Sequence, residues 1–527
     1  MHMSRSWRNE DGFSMIVVLG VMMIGALIAV ASFTLTIGDA PQSRSSNNAK
    51  QAYAAAEAGL HYYLFHLAQD NQYWTKCTNV APPGPGQPNP VNQAWNGTGQ
   101  DPRVWRSLPR TSARYTVELL AVTGAAACDP TRASLTMIDA GTGTMRIRTT
   151  GEAGGRTRSL TATLRRRSFI DYLYFTDYET GDPVTYSGQT NINWAQQNCV
   201  RYRAQRPSGC SAITFVANGS FNDKINGPFH TNDDILVCGT PTFGRRSTDV
   251  IEVSGPAPGY ATNCAGSAPN FLGTWQTAAK TLAMPPSNAS LAQMTDAQYK
   301  FTGTTTLRLN GNTITVTNNG TTVAKAWPAN GLIYVKSGAC GSNQAPPLQA
   351  YSEPQGCANV YVSGTYAGNL TIASEKDIVI RPPTSSSNGN VIRSGDVMLG
   401  LIANNFVRVY HKVSRSDSTS MTSCTNTNSS SSPLMNTVTI EAAILSLSHS
   451  FIADNHACGN QLGALKIVGA IAQRFRGPVG TFGSASTGFT KDYTYDDRLR
   501  YREPPYFLEP VATAWRVVRQ SEQVPAR

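Results

Sequence analysis

Asn9-Glu-Asp-Gly-Phe-Ser-Met-Ile-Val17 is the stretch on which the reading of this chain turns. A short polar leader closes at Gly12, and Phe13 opens an apolar run, free of charge, that reaches Gly38. The 25 residues Phe13–Ile37 are enough for one bilayer crossing, which takes about 20. In the leader Arg5 and Arg8 stand against Glu10 and Asp11, so the positive-inside signal is weak. Gly20 and Gly25 would admit a second helix at close range. With Val17 and Pro41 they are the candidate helix-packing positions.

Past the apolar run the pattern becomes amphipathic. Ala49, Tyr53, Ala56, Leu60, Tyr63, Leu64 and Leu67 recur at helical spacing. Asp39-Ala-Pro41 separates the two halves, and Pro41 removes a backbone donor, so it can kink or restart the helix. Together the halves predict a helix over 13–68, roughly 80 Å long at about 1.5 Å per residue.

Two of these features carry a resemblance. The Gly12-Phe13 junction looks like the prepilin peptidase site of type IV pilins, which is cut on the cytoplasmic side and leaves the apolar helix on the mature protein. Gln51-Ala-Tyr-Ala-Ala-Ala-Glu-Ala-Gly59 resembles the signature of PilX-type pilin-like proteins, carried here by Ala55, Ala56, Glu57, Ala58 and Gly59. The usual pilin glutamate five residues after the cut is replaced by Val17, a departure that PilX-type minor pilins tend to show. Phe169–Glu179, Ile225–Asp233 with Gly239–Phe243, and Tyr495–Leu499 with Pro504–Phe507 resemble segments of large pilin-like proteins of Gram-positive and related bacteria. The resemblance implies a helix leaning on a small antiparallel sheet. It also implies assembly with other pilin subunits through that helix, after a membrane-inserted stage and processing by prepilin peptidase. A plain signal-anchor helix, and a signal peptide cut at Ala29-Val-Ala31, are the competing readings.

Composition agrees with an exported, β-rich chain. At 527 residues it exceeds one typical domain, and only 15% of residues are charged. The ten cysteines, Cys77, Cys128, Cys199, Cys210, Cys238, Cys264, Cys340, Cys357, Cys424 and Cys458, form no Cys-x-x-Cys. An even count in an exported chain favours disulfides, here taken in sequence order, although spacing cannot prove connectivity. The net charge is +11. Between Arg103 and Arg167 there are twelve Arg, no Lys and four acids, a patch that suits phosphate or, equally, the solvated face of a hairpin.

Residues 80–102 read as a Pro/Gly-rich loop. Tyr115–Val122, Leu135–Ile138, Met145–Thr149 and Ser159–Leu164 then predict strands, the last two as a hairpin across Gly151–Gly155. From Ser168 to about Pro510 short apolar strands alternate with Gly, Asn and Ser, among them Ile235–Val237, Val250–Val253, Leu332–Val335, Leu370–Ile372, Val438–Leu447 and Leu465–Ile471. The pattern suits an irregular β-solenoid, with a β-sandwich as runner-up. Ser414–Ser432 reads as a loop and Ser290–Tyr299 as a helical spacer. The expected fold class is therefore α+β: leader 1–12, helix 13–68, small pilin-like antiparallel sheet 69–167, large mainly-β domain 168–510, and a tail 511–527.

Enzyme motifs are lacking: no Gly-x-Ser-x-Gly, phosphate-binding loop, His-Glu-x-x-His or dinucleotide fingerprint occurs. No metal or cofactor site is expected. His230, Asp233 and Asp234 cluster in Gly227-Pro-Phe-His-Thr-Asn-Asp-Asp234, where a strand corner explains them better than a site. Asp177, Asp182, Asp223, Asp233, Asp234 and Asp377 would have to converge for carbohydrate chemistry. The expectation is a minor or tip-located pilus subunit, not an enzyme, in the membrane before assembly and on the pilus or cell surface afterwards. Its β domain would meet a host surface, a polysaccharide or DNA. The alternative is a membrane-anchored or secreted β-solenoid acting as a carbohydrate-active enzyme or tethered binding module.

Overall fold

The computed structural model describes residues 13–69, 73–75, 103–120, 137–139, 144–166, 168–186, 188–217, 222–341, 356–382, 388–415, 424–426, 435–481, 486–500, 503–511 and 515–527. Gly12, Cys77, Cys128 and the loop expected over 80–102 lie outside them, as do the side chains of Phe13 and Pro41.

Among the described residues strands make up 44% and helix 19%. That overturns the expected α+β class: the protein is mainly β, because hundreds of residues after the first sheet form short strands and only brief helices. The N-terminal helix α1 spans Phe13–Gln69, 57 residues. Its backbone is helical across Pro41, where the ring leaves the Ile37 carbonyl without an intrahelical donor. Among the described residues no helix is long and apolar enough to cross a membrane, so the expected bilayer span is unconfirmed.

The C-terminal half of α1 lies on an antiparallel sheet of β1 (Arg106–Ser107), β2 (Arg114–Leu120), β3 (Ile138–Asp139), β4 (Thr144–Ala153) and β5 (Arg156–Arg166). The sixth strand is Trp515–Gln523, paired antiparallel with β5. The sheet is thus not confined to 69–167, and the expected tail supplies an edge strand. Trp515 and Val517 join the helix-side core while Arg516 and Val518 are exposed, an alternation that marks the start of a half-buried strand. Alternate residues of β2 and β4 (Tyr115, Val117, Leu119; Met145, Ile147) meet Ala52, Ala55, Leu60, Tyr63 and Leu67 of the helix in one core. The β4–β5 hairpin turns at Gly154 and Gly155, both at positive φ. Such a two-residue turn matches the strand twist and suits glycine. Gly151, expected in the turn, instead sits within β4.

Residues 168–511 are inserted between β5 and its partner strand, and their winding explains how this is done. Parallel ladders bring Ile333, Ile372, Leu401, Ile444, Ile471, Tyr174, Phe229, Ile251 and Trp275 into one row, each registered with the next. The first strand after β5, Tyr174–Gly181, therefore sits in the middle of the stack, against Gln461–Arg476. From there the chain winds one way to Thr274–Gln276. It then runs as a strap along the stack to the far end and winds back to its starting level. The strap is traced by hydrogen bonds: Ala279 N donates to Val253 O (3.0 Å), Leu282 N to Asn232 Oδ1 (2.8 Å), and Asn288 Nδ2 to Ser374 O (2.7 Å). Asn330 Nδ2 then donates to Met294 O (2.8 Å), within a short helix Leu291–Met294 where the spacer was expected. The far end is closed by the antiparallel meander Thr305–Gly311, Thr313–Asn318 and Thr321–Ala326. Inside, branched and aromatic side chains form one continuous core.

Candidate functional site

The two halves of α1 differ in what they touch. From Ala52 to Leu67 one face is buried on the sheet. From Met15 to Ala29 every residue is exposed, with Met15 70% and Ile28 61% accessible. Apolar side chains around the whole circumference mark a helix meant for apolar surroundings. Val17 is exposed, and a Cβ added at Gly20 or Gly25 would meet nothing within 4 Å. These three positions are unoccupied by the chain's own fold.

The Ala-Ala-Glu-Ala-Gly stretch has a different duty. Ala55 and Ala56 are fully buried. A Cβ on Gly151 would lie 1.9 Å from Ala52 O, 2.5 Å from Ala56 N and 2.9 Å from the Ala55 methyl. One on Gly59 would lie 2.7 Å from the Tyr115 ring. Small residues on both surfaces let the helix rest almost on the strand backbone. Glu57 and Ala58 are half-buried at the margin. Gly151 escapes sequence reading because a glycine near a hairpin reads as turn.

The joint between sheet and coil domain is built on Arg165, 1% exposed at the end of β5. Its guanidinium lies 3.7 Å from Asp171 and 3.5 Å from Glu503, and Nη1 donates to Leu499 O (3.1 Å). Arg516, on the returning strand, also pairs with Asp171 (3.0 Å). Asp171 further accepts from Ser168 N in a capping box that opens the turn Phe169–Asp171. Entry and exit segments are thereby tied to one buried cation. Burial alone would lower the Arg165 pKa, but Glu503 and Asp171 more than offset it and raise the value.

The candidate carboxylates do not converge on one open face. Asp377 pairs with buried Arg408 (2.6 Å), which also meets Asp454 (3.0 Å). Asp182 accepts from Ser450 Oγ and pairs with His449 (3.0 Å). Asp233 accepts from the Glu179, Arg203 and Asp234 amides and pairs with Arg206. Asp177 accepts from Asn232 and Tyr202. His230 is fully buried, stacked on Phe175, with Nδ1 2.8 Å from Glu252 and Nε2 donating to Asn232 Oδ1 (3.0 Å). The cluster around Gly227–Asp234 thus holds a corner together. Among the described residues no group of three or more His, Cys, Asp or Glu is arranged to hold a metal. Cys199–Cys210, Cys238–Cys264 and Cys340–Cys357 are disulfides, and Cys458 is disulfide-bonded as well.

One open cleft, about 510 Å³, lies beside the level where Gln461–Arg476 meets Tyr174–Gly181. Tyr174, Phe489 and Tyr493 line it together with Asn222, Asp223 and Lys491. Asp223 and Lys491 form an ion pair (2.9 Å), and Asp223 also accepts from Val216 N (3.0 Å). Arg476, 2% exposed, donates to Ile213 O (2.8 Å), pairs with Glu179 (3.2 Å) and lies over the Phe215 ring. Burial pushes the Tyr174 phenol up to about 12 despite neighbouring Arg476. No sequence pattern marks this cleft, since its sides come from windings far apart in the chain.

No family model and no curated protein matches the chain. Among solved structures it is similar to the competence-associated pilin ComZ from Thermus thermophilus, at 12% identity over 91% of this chain and 98% of that one, with a TM-score of 0.26. A superposition so loose carries no argument about fold or function.

Proposed function

We propose that this chain is a pilin-like surface subunit of the PilX type, low in copy or placed at a tip. Cleavage after Gly12 by prepilin peptidase leaves Phe13 as the mature N-terminus. The apolar half of α1 sits in the membrane before assembly and among the helices of neighbouring pilin subunits afterwards. The coil domain is displayed outside for adhesion or surface binding. The observation that carries the reading is the helix with two fates: residues 52–67 are satisfied by the sheet, whereas Met15–Ala29 expose apolar side chains on every side. Each such side chain contributes on the order of 1–2 kcal/mol once covered, which only a bilayer or other helices can supply along a rod. The bulk of the coil domain supports a tip or low-copy position, because it would crowd a thin filament if carried by every subunit.

The test is to shear filaments from cells, find the chain in the pilus fraction and determine its N-terminus by mass spectrometry. A start at Phe13 is expected. Gly20→Leu with Gly25→Leu should leave the purified chain's stability unchanged and reduce its pilus share at least tenfold. A chain starting at Met1 and remaining in the membrane fraction refutes the reading.

A further inference from the structure

We propose that the cleft between Asn222–Asp223, Gln461 and Phe489–Lys491 is a binding site for a neutral oligosaccharide. It rests on the surface-display reading for its setting, but binding to the purified chain is measured without assembly, so the two fail separately.

The chemistry of the walls narrows the ligand. At about 510 Å³ the cleft lies within the range of small-ligand pockets. Its charges are balanced: Lys491 is matched by Asp223 and Arg476 by Glu179. A phosphorylated or nucleic-acid ligand would have to displace or face Asp223, so anions are disfavoured. An apolar ligand would cover exposed Asn222 and Gln461, whose amides hold no intramolecular partner among the described residues, and would forfeit their hydration. What remains is a molecule with an apolar face and many hydroxyls. The small ring areas that Tyr174, Phe489 and Tyr493 leave accessible, on residues 5%, 4% and 2% exposed, line the cleft and take the C–H face. The amides of Asn222 and Gln461 donate and accept at once, as vicinal hydroxyls require. The Asp223–Lys491 pair offers an acceptor beside a donor, with 18% and 25% of the side chains still accessible. The Tyr174 hydroxyl accepts from Gln473 Nε2 (2.7 Å), which leaves its own proton to donate.

The experiment uses the full chain in micelles of a detergent without a sugar headgroup. Maltotetraose, cellotetraose and chitotetraose are titrated by calorimetry, alongside a single-stranded oligonucleotide. At least one tetrasaccharide should bind with a Kd at or below about 1 mM, and its affinity should change less than twofold between about 50 and 500 mM salt, because no net charge is neutralised. Gln461→Ala, and separately Asp223→Asn with Lys491→Met, should weaken it tenfold or more while near-ultraviolet circular dichroism stays unchanged. The proposal is overturned if none of the three binds, if the variants bind as well as the parent, or if the oligonucleotide binds instead with steep salt dependence that the same variants abolish.

Discussion

Gly151→Ala tests whether the helix truly rests on the strand backbone. The new methyl would stand 1.9 Å from Ala52 O and 2.5 Å from Ala56 N, both main-chain atoms that no rotamer change can move. Restoring ordinary contact at about 3.5 Å requires the helix to retreat by roughly 1.5 Å. A gap of 0.5–1 Å already forfeits about a quarter to a half of a dispersion contact, so Leu60, Tyr63 and Leu67 would lose packing along with Ala52 and Ala55. Overpacking of this kind costs about 1–3 kcal/mol, and rigid backbone on both sides places this case at the upper end. Hydrogen exchange read by mass spectrometry resolves the effect by region. Amides of residues 52–67 should exchange roughly 10- to 100-fold faster, since about 1.4 kcal/mol is a factor of ten. Amides of the coil domain should keep their rates, because its core is a separate cluster. Gly25→Ala, which meets nothing, serves as control. Exchange of 52–67 unchanged within twofold would refute the close-seat argument.

Other expectations follow from the joint, the ion pairs and the disulfides. Arg165→Met leaves Asp171 and Glu503 facing an apolar side chain and should cost about 3–5 kcal/mol in urea unfolding, with most of the loss restored by adding Asp171→Asn and Glu503→Gln; no loss would mean the cation is dispensable. For His449, burial lowers the pKa, but the Asp182 carboxylate and its hydrogen bond outweigh burial and raise it above 6.5. Protonated His449 therefore contributes stability that is complete below about pH 6.5 and fades as pH rises through the raised value. His449→Gln should flatten that alkaline-side decline, and an unchanged pH profile of the melting temperature would rule the pair out. Removing Cys238–Cys264, which are separated by 26 residues, should cost about 3 kcal/mol from loop entropy, seen as earlier proteolysis near residues 240–262; equal protease resistance would contradict it.

Much of the local structure could be read from residues alone. The helix follows from an uncharged apolar run and the Ala/Tyr/Leu spacing beyond it, and Val250–Val253 and Ile378–Ile380 follow from short β-branched runs between turn residues. Assembly could not be read. Nothing in Tyr174–Gly181 announces that its partner is Gln461–Arg476, hundreds of residues later, because a parallel ladder's register is set by packing and not by a turn. Trp515–Gln523 alternates inside and outside only over Trp515–Val518 before an exposed, polar run, so it passed for a tail. The helix Gln189–Asn198 buries only Ala195, so no apolar period betrays it. The cleft was invisible for the reason the ladder was: its walls meet only after winding.

That winding has a consequence for how such a protein can change over generations. Because the inserted chain both enters and leaves at mid-stack, its two outer termini of the stack carry no covalent connection to the helix-bearing sheet. A duplication or deletion of one turn at either outer end would lengthen or shorten the projecting part while Arg165, Asp171 and Glu503 stay where they are. The strap alone would need to be adjusted in length. Reach and surface chemistry can thus diversify at the periphery, under little constraint from the part that anchors.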